Sequence, residues 1–136
     1  MKLRNFVVTT LLAIVLCPCI ANAENVIDYC YNVQQYRWGA SRYDFNYRND
    51  TGEVVCINID TTGDGHISVK SGSYSNLFAL SGANLISVDD DDSSNSKLEL
   101  EYKYGSGRIS ITMEYGYTIV SYFKNDGSFT IWKEHK

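Results

Sequence analysis

The chain has 136 residues, 44% of them hydrophobic and 21% charged, which is enough for one domain with one core and too little for two. Its formal charge of −4, from 12 Lys and Arg against 16 Asp and Glu, argues against a nucleic-acid binder. The same sign suits a basic partner, because complementary charge speeds encounter and suppresses wrong pairings.

Residues 1–23 carry Lys2 and Arg4, then an apolar run over 6–20, then Ala21-Asn22-Ala23, the small-x-small pattern of a secretory signal peptide. Cleavage after Ala23 is expected, leaving residues 24–136 as a single β domain in the periplasm or outside the cell. The apolar run is too short and wrongly flanked for a membrane span, and no later stretch reaches the roughly 20 apolar residues one needs. With Lys2 and Arg4 removed, 10 Lys and Arg face 16 Asp and Glu, a charge of −6. Cys17 and Cys19 leave as well, so Cys30 and Cys56 remain as one pair in an oxidising compartment. Their disulfide would close a loop of about 26 residues and contribute roughly 3 kcal/mol by the chain-entropy argument. Two thiols with only His66 and His135 to join them make a poor metal set, so neither metal nor cofactor is expected.

Residues 26–37 fit a helix as readily as a strand. Beyond them the period is two. Residues 42–48 alternate polar and aromatic side chains, which predicts a half-buried strand, and 97–104 and 108–114 alternate likewise across a Gly105-Ser106-Gly107 hairpin link. Residues 117–123 and 128–132 form another hairpin across Lys124-Asn125-Asp126-Gly127. With 54–60, 66–71, 77–80 and 84–88 the count is about eight strands, so the expected fold is all-β, a single antiparallel sandwich or small barrel with one disulfide.

Two acidic stretches raise calcium. Residues 58–71, Asn-Ile-Asp-Thr-Thr-Gly-Asp-Gly-His-Ile-Ser-Val-Lys-Ser, place Asp60, Thr62 and Asp64 on alternate positions, but the twelfth position of such a loop is Ser71 rather than a bidentate acid, and strands flank it. A hairpin turn is the expectation. Asp89-Asp90-Asp91-Asp92-Ser93-Ser94 resembles the calcium clamp of βγ-crystallin Greek keys. The reading adopted for it is a solvated loop kept extended by four adjacent like charges.

Catalytic chemistry has little to use. No thiol is spare, neither histidine sits in a nucleophile motif, and Glu99 and Glu101 lie two apart on one strand face with Lys97 and Lys103 in line, as on an ordinary exposed strand. A non-enzyme is expected. Eleven Tyr and two Trp instead supply a recognition vocabulary of large rings with polar tips.

Small exported β domains with one disulfide and an acidic surface look like bacterial lysozyme inhibitors and the immunity partners of cell-wall-degrading type VI secretion effectors. Ser71-Gly72-Ser73-Tyr74 resembles the Ser-Gly-x-x-Tyr loop that periplasmic inhibitors of c-type lysozyme insert into the enzyme, one residue shorter here. The resemblance implies a protein that neutralises a basic hydrolase or effector by docking Ser71, Ser73 and Tyr74, with Asp89, Asp90, Asp91 and Asp92, against its active cleft. Pairing as a homodimer through an edge strand stays open. The alternative is a carbohydrate-binding module or toxin subunit in which Tyr36, Trp38 or Trp132 stacks on a sugar face. An inhibitor should concentrate its contacts in one protruding loop, whereas a lectin should show a shallow site. Net charge favours the inhibitor.

Overall fold

The computed structural model describes residues 25–91, 97–114 and 117–135. Eleven strands follow in order, β1 (Asn25–Asn32), β2 (Gln35–Ser41), β3 (Asp44–Asn49), β4 (Val54–Asp60), β5 (Gly65–Ser71), β6 (Tyr74–Leu80), β7 (Leu85–Asp91), β8 (Lys97–Tyr104), β9 (Gly107–Glu114), β10 (Tyr117–Phe123) and β11 (Phe129–Lys133). A 3-10 turn, Gly82–Asn84, precedes β7. The strands pair antiparallel in two sheets, a smaller one in the order β1-β4-β5-β6 and a larger one in the order β3-β2-β11-β10-β9-β8-β7. Both sheets keep open edges, so the fold is the sandwich and not the closed barrel. Among the described residues no helix is long and apolar enough to cross a membrane. The expected signal peptide, 1–23, lies outside the described residues.

The ambiguous segment is strand throughout, and the sheet change explains its pattern. Ile27, Tyr31 and Val33 are buried on odd positions of β1 and its exit, whereas Tyr36 and Trp38 turn inward on even positions of β2. The parity flips where the Val33 N–H donates to the Glu53 carbonyl (2.9 Å) and the Gln34 N–H to the Lys133 carbonyl (2.9 Å), carrying the chain from one sheet to the other. Two strand parities joined by one step imitate the spacing of a helical face.

The core lies between the sheets. Val55, Ile57 and Ile59 of β4 and Ile67 and Val69 of β5 face Leu98, Leu100 and Tyr102 of β8, Ile109 and Ile111 of β9, and Val120 of β10. Each fully buried aliphatic side chain contributes about 1.5–3 kcal/mol relative to exposure. On the outward face of β8, Glu99 pairs with Lys97 (3.0 Å) and Glu101 with Arg108 (3.3 Å), exposed bridges of small energetic weight. Cys30 and Cys56 stand directly opposite in the β1–β4 ladder and are bonded, with Cα atoms 4.0 Å apart.

Two expectations need correction. Residues 42–48 do not make a half-buried strand, because β3 is exposed at every position, with Tyr47 59% accessible, and Tyr43 in the turn before it is 81% accessible. β3 is an edge of the larger sheet and contributes no residue to the core cluster. The acidic run is not a loop through residue 91, because Asp89 to Asp91 end β7, where Asp89 stands opposite Glu99 and Asp90 opposite Leu98. Asp92 lies outside the described residues.

Candidate functional site

The sandwich opens at one end. There Thr51 and Glu53 of the β3–β4 loop, the end of β5 and the first part of β6 stand over the inner faces of β2, β3, β10 and β11, leaving a groove of about 490 Å³. A neighbouring depression of about 500 Å³ runs on toward Trp38 and Asp44 and shares Tyr36, Lys124 and Thr130 with it.

Alternation builds the floor. Tyr36 and Trp38 are two apart on β2, so both face inward, with ring centroids 4.8 Å apart and planes 20° from parallel. Trp132, opposite Tyr36 in the β11–β2 ladder, lies 6.2 Å from it. Phe78 of β6 closes edge-on against Trp132 at 5.8 Å and against Tyr122 at 5.6 Å. The rings thus form one continuous row, Trp38, Tyr36, Trp132, Phe78 and Tyr122. Trp132 is 5% exposed, and its indole N–H has no hydrogen-bond partner among the described residues.

Charge sits on the rim. The Arg48 guanidinium lies 5.4 Å over Trp38, and the Lys124 ammonium 5.9 Å from the Tyr122 ring. Lys124 is set by the β10–β11 turn, in which Asp126 accepts hydrogen bonds from the Ser128 hydroxyl (2.6 Å) and the Ser128 N–H (2.9 Å). Those bonds, the hydroxyl's first, hold the Asp126 carboxyl below its ordinary value. Glu53 supplies the opposing charge and accepts from the Thr51 hydroxyl at 2.9 Å. Burial raises the Tyr36 phenol above its ordinary value, with Glu53 pushing the same way and Arg48 against it. The groove therefore offers flat apolar surface, two cations, one carboxylate and the side chains of Asn76 and Thr130.

The expected docking residues divide. Ser71 and Tyr74 line the groove, and Tyr74 is 58% exposed on its rim. Ser71 pairs with Tyr74 across the β5–β6 ladder, so Gly72 and Ser73 form a two-residue hairpin turn, with Gly72 at a φ of 58° that favours glycine. The turn is tight, with no residues beyond those two between the paired strands. Asp89, Asp90 and Asp91 lie on β7, at the opposite edge of the larger sheet from β3. Asp89 and Asp90 are not among the residues that line the groove.

The calcium-like stretch is the β4–β5 turn. Asp60 Oδ1 accepts from the Thr62 N–H (2.8 Å), the Thr62 hydroxyl (2.5 Å) and the Asp64 N–H (3.2 Å), while Asp64 Oδ1 accepts from the Gly82 N–H (2.6 Å). Both carboxylates tie down backbone. His66 is exposed on β5 and His135 stacks on Tyr117 with centroids 6.1 Å apart, and neither lines the groove.

Arg48, Glu53, Phe78, Tyr122 and Lys124 were not singled out from the sequence. Tyr36, Trp38 and Trp132 were legible as candidate stacking rings, but the inward pairing of Tyr36 with Trp38 was not, because residues 26–37 fit a helix as readily as a strand and what faces the pair depends on how the two sheets meet. Comparison with protein-family models, curated proteins and solved structures finds no match for the chain.

Proposed function

We propose that the chain is an exported, non-catalytic binding protein that holds a carbohydrate chain along its aromatic groove. The observation that carries this reading is the continuous row from Trp38 to Tyr122, open to solvent at the Trp38 end and rimmed by groups able to hydrogen-bond hydroxyls. Sugar rings stack on such faces through C–H-rich surfaces while polar neighbours fix their orientation. Export is supported by the Cys30–Cys56 disulfide, which suits an oxidising compartment.

The test is calorimetric titration with neutral oligosaccharides of glucose, N-acetylglucosamine, galactose and mannose. Binding by one series, weakened about tenfold by Trp38→Ala, the equivalent of about 1.4 kcal/mol, is the expected result. Silence across the panel, or affinity untouched by Trp38→Ala, would remove the groove from the proposal.

A second reading, neutralisation of a basic hydrolase or effector, is favoured by one observation. Tyr74 projects from the Ser71–Tyr74 turn at the mouth of the groove, where an aromatic anchor could enter a partner's cleft. Retention of a single basic protein from periplasmic or secreted extracts, unaffected by free sugar and lost with Tyr74→Ala, would establish that reading instead.

A further inference from the structure

Among the described residues, the Trp132 indole N–H is a buried side-chain donor without a hydrogen-bond partner, and Glu134 Oε1 is a buried acceptor in the same condition. Buried indole N–H groups normally find an acceptor, and leaving one unpaired costs about 1–3 kcal/mol. The Tyr31 hydroxyl donates to the backbone carbonyl of this same residue at 2.7 Å, so its main chain is served while its side chain is not. The unpaired donor belongs to a ring in the groove floor, between Tyr36 and Phe78. An unmet donor there gives affinity to a ligand that brings an acceptor oxygen to it.

The surroundings specify what kind of acceptor. The neighbouring surfaces are aromatic, so the oxygen is best carried by a group that is otherwise apolar. The nitrogen itself is closed to solvent, so the oxygen must reach past the sugar ring's own hydroxyl shell as the rings adjust. An acetamido group meets both conditions. Its carbonyl oxygen lies two bonds further from the sugar carbon than a hydroxyl oxygen does, it is a strong acceptor, and its methyl group can rest against Phe78 or Tyr122. Resting on the carbohydrate reading above, we infer that the groove selects N-acetylated sugars, with the Trp132 indole N–H donating to the acetamido carbonyl. Trp38 is a stacking platform that does not discriminate, because a sugar face offers it the same C–H surface with or without the acetamido group.

The two tryptophans make the inference directly observable. A ¹⁵N-labelled sample of the disulfide-bonded protein should give an indole N–H signal for each, assigned by the one that disappears in Trp38→Phe. The probes are the β-1,4-linked trimer of N-acetylglucosamine and the matching trimer of glucose, which differ at the acetamido position alone. The expected result is that the acetamido trimer moves the Trp132 signal downfield, as a new hydrogen bond requires, and binds at least about tenfold more tightly than the glucose trimer. Trp132→Phe keeps a ring and loses the donor, and should bring the two affinities together. If both trimers shift Trp38 and neither shifts Trp132, the acetamido inference is wrong and the groove reading survives. If neither trimer moves either signal, the inference again fails, and the wider oligosaccharide panel decides the groove reading on its own.

Discussion

Tyrosine hydroxyls fasten the two layers where the apolar core ends. Tyr29 donates to Glu134 Oε2 at 2.6 Å, Tyr31 to the Trp132 carbonyl at 2.7 Å, and Tyr102 to the Gly63 carbonyl at 2.7 Å. The hydrogen bond to Glu134 and then burial push the Tyr29 phenol up to about 12 from an ordinary value of 10.0. The folded protein therefore favours the neutral phenol. That contribution is complete below about pH 10 and is lost as pH rises toward 12. Urea midpoints measured across this window should fall more steeply for the wild type than for Tyr29→Phe, and parallel curves would show that Tyr29 does not contribute. Tyr102→Phe removes the tie to the β4–β5 turn and should cost about 1 kcal/mol by chemical denaturation. An unchanged midpoint would mean that water replaces the bond. The tyrosine count could not separate these roles in the sequence. Tyr31 and Tyr102 are buried fasteners, whereas Tyr43, Tyr47 and Tyr74 are exposed, and the difference lies in which strand face has another layer over it.

At the scale of elements, the β2–β3 hairpin is the piece that makes the groove more than a sandwich end. It carries Tyr36, Trp38 and Arg48 beyond the smaller sheet, and its return depends on Gly39, at the register shift in the β2–β3 ladder. A Cβ at Gly39 would lie 2.4 Å from the Asp44 carbonyl oxygen and 2.6 Å from Phe45 Cα, both backbone atoms that cannot swing aside. Gly39→Ala should therefore force the two strands apart, lower stability by about 1–3 kcal/mol and weaken ligand binding through the neighbouring Trp38. Retained melting temperature and affinity would show that the hairpin absorbs the change. Strand existence was legible here from alternation, and so were the tight turns at 105–106 and 124–127, where Gly, Asn and Asp supply the needed backbone conformations. The exposure of residues 42–48 was not legible. A period of two reports that side chains alternate between faces, and covering either face requires a second sheet whose position is set by long-range packing. The acidic run shows the converse. Like charges suggested a loop, yet pairing with β8 extends the strand through Asp91, because Asp89 and the backbone ladder can share an edge open to water.

At the scale of the whole molecule, the disulfide encloses the excursion that creates the site. Between Cys30 and Cys56 the chain leaves the smaller sheet, builds the β2–β3 hairpin of the larger one and returns to pair with the strand it left. The pairing of Cys30 with Cys56 was legible from composition on the expectation that residues 1–23 are a signal peptide, but its meaning was not, since opposite placement in one ladder appears only when β1 and β4 are neighbours. Closing this 26-residue separation restricts the unfolded chain, an effect of roughly 3 kcal/mol. The Cys30→Ser/Cys56→Ser variant, which leaves neither thiol free, should accordingly lose about that much in urea denaturation. Its folded state keeps the β1–β4 ladder and the Val33 and Gln34 backbone bonds that redirect the chain, so the groove is held by contacts the variant does not touch. Ligand affinity, measured where the variant is still folded, should then match the wild type. A fall in affinity with stability unchanged would reverse the assignment, making the disulfide a support of the folded hairpin and not a constraint on the unfolded chain.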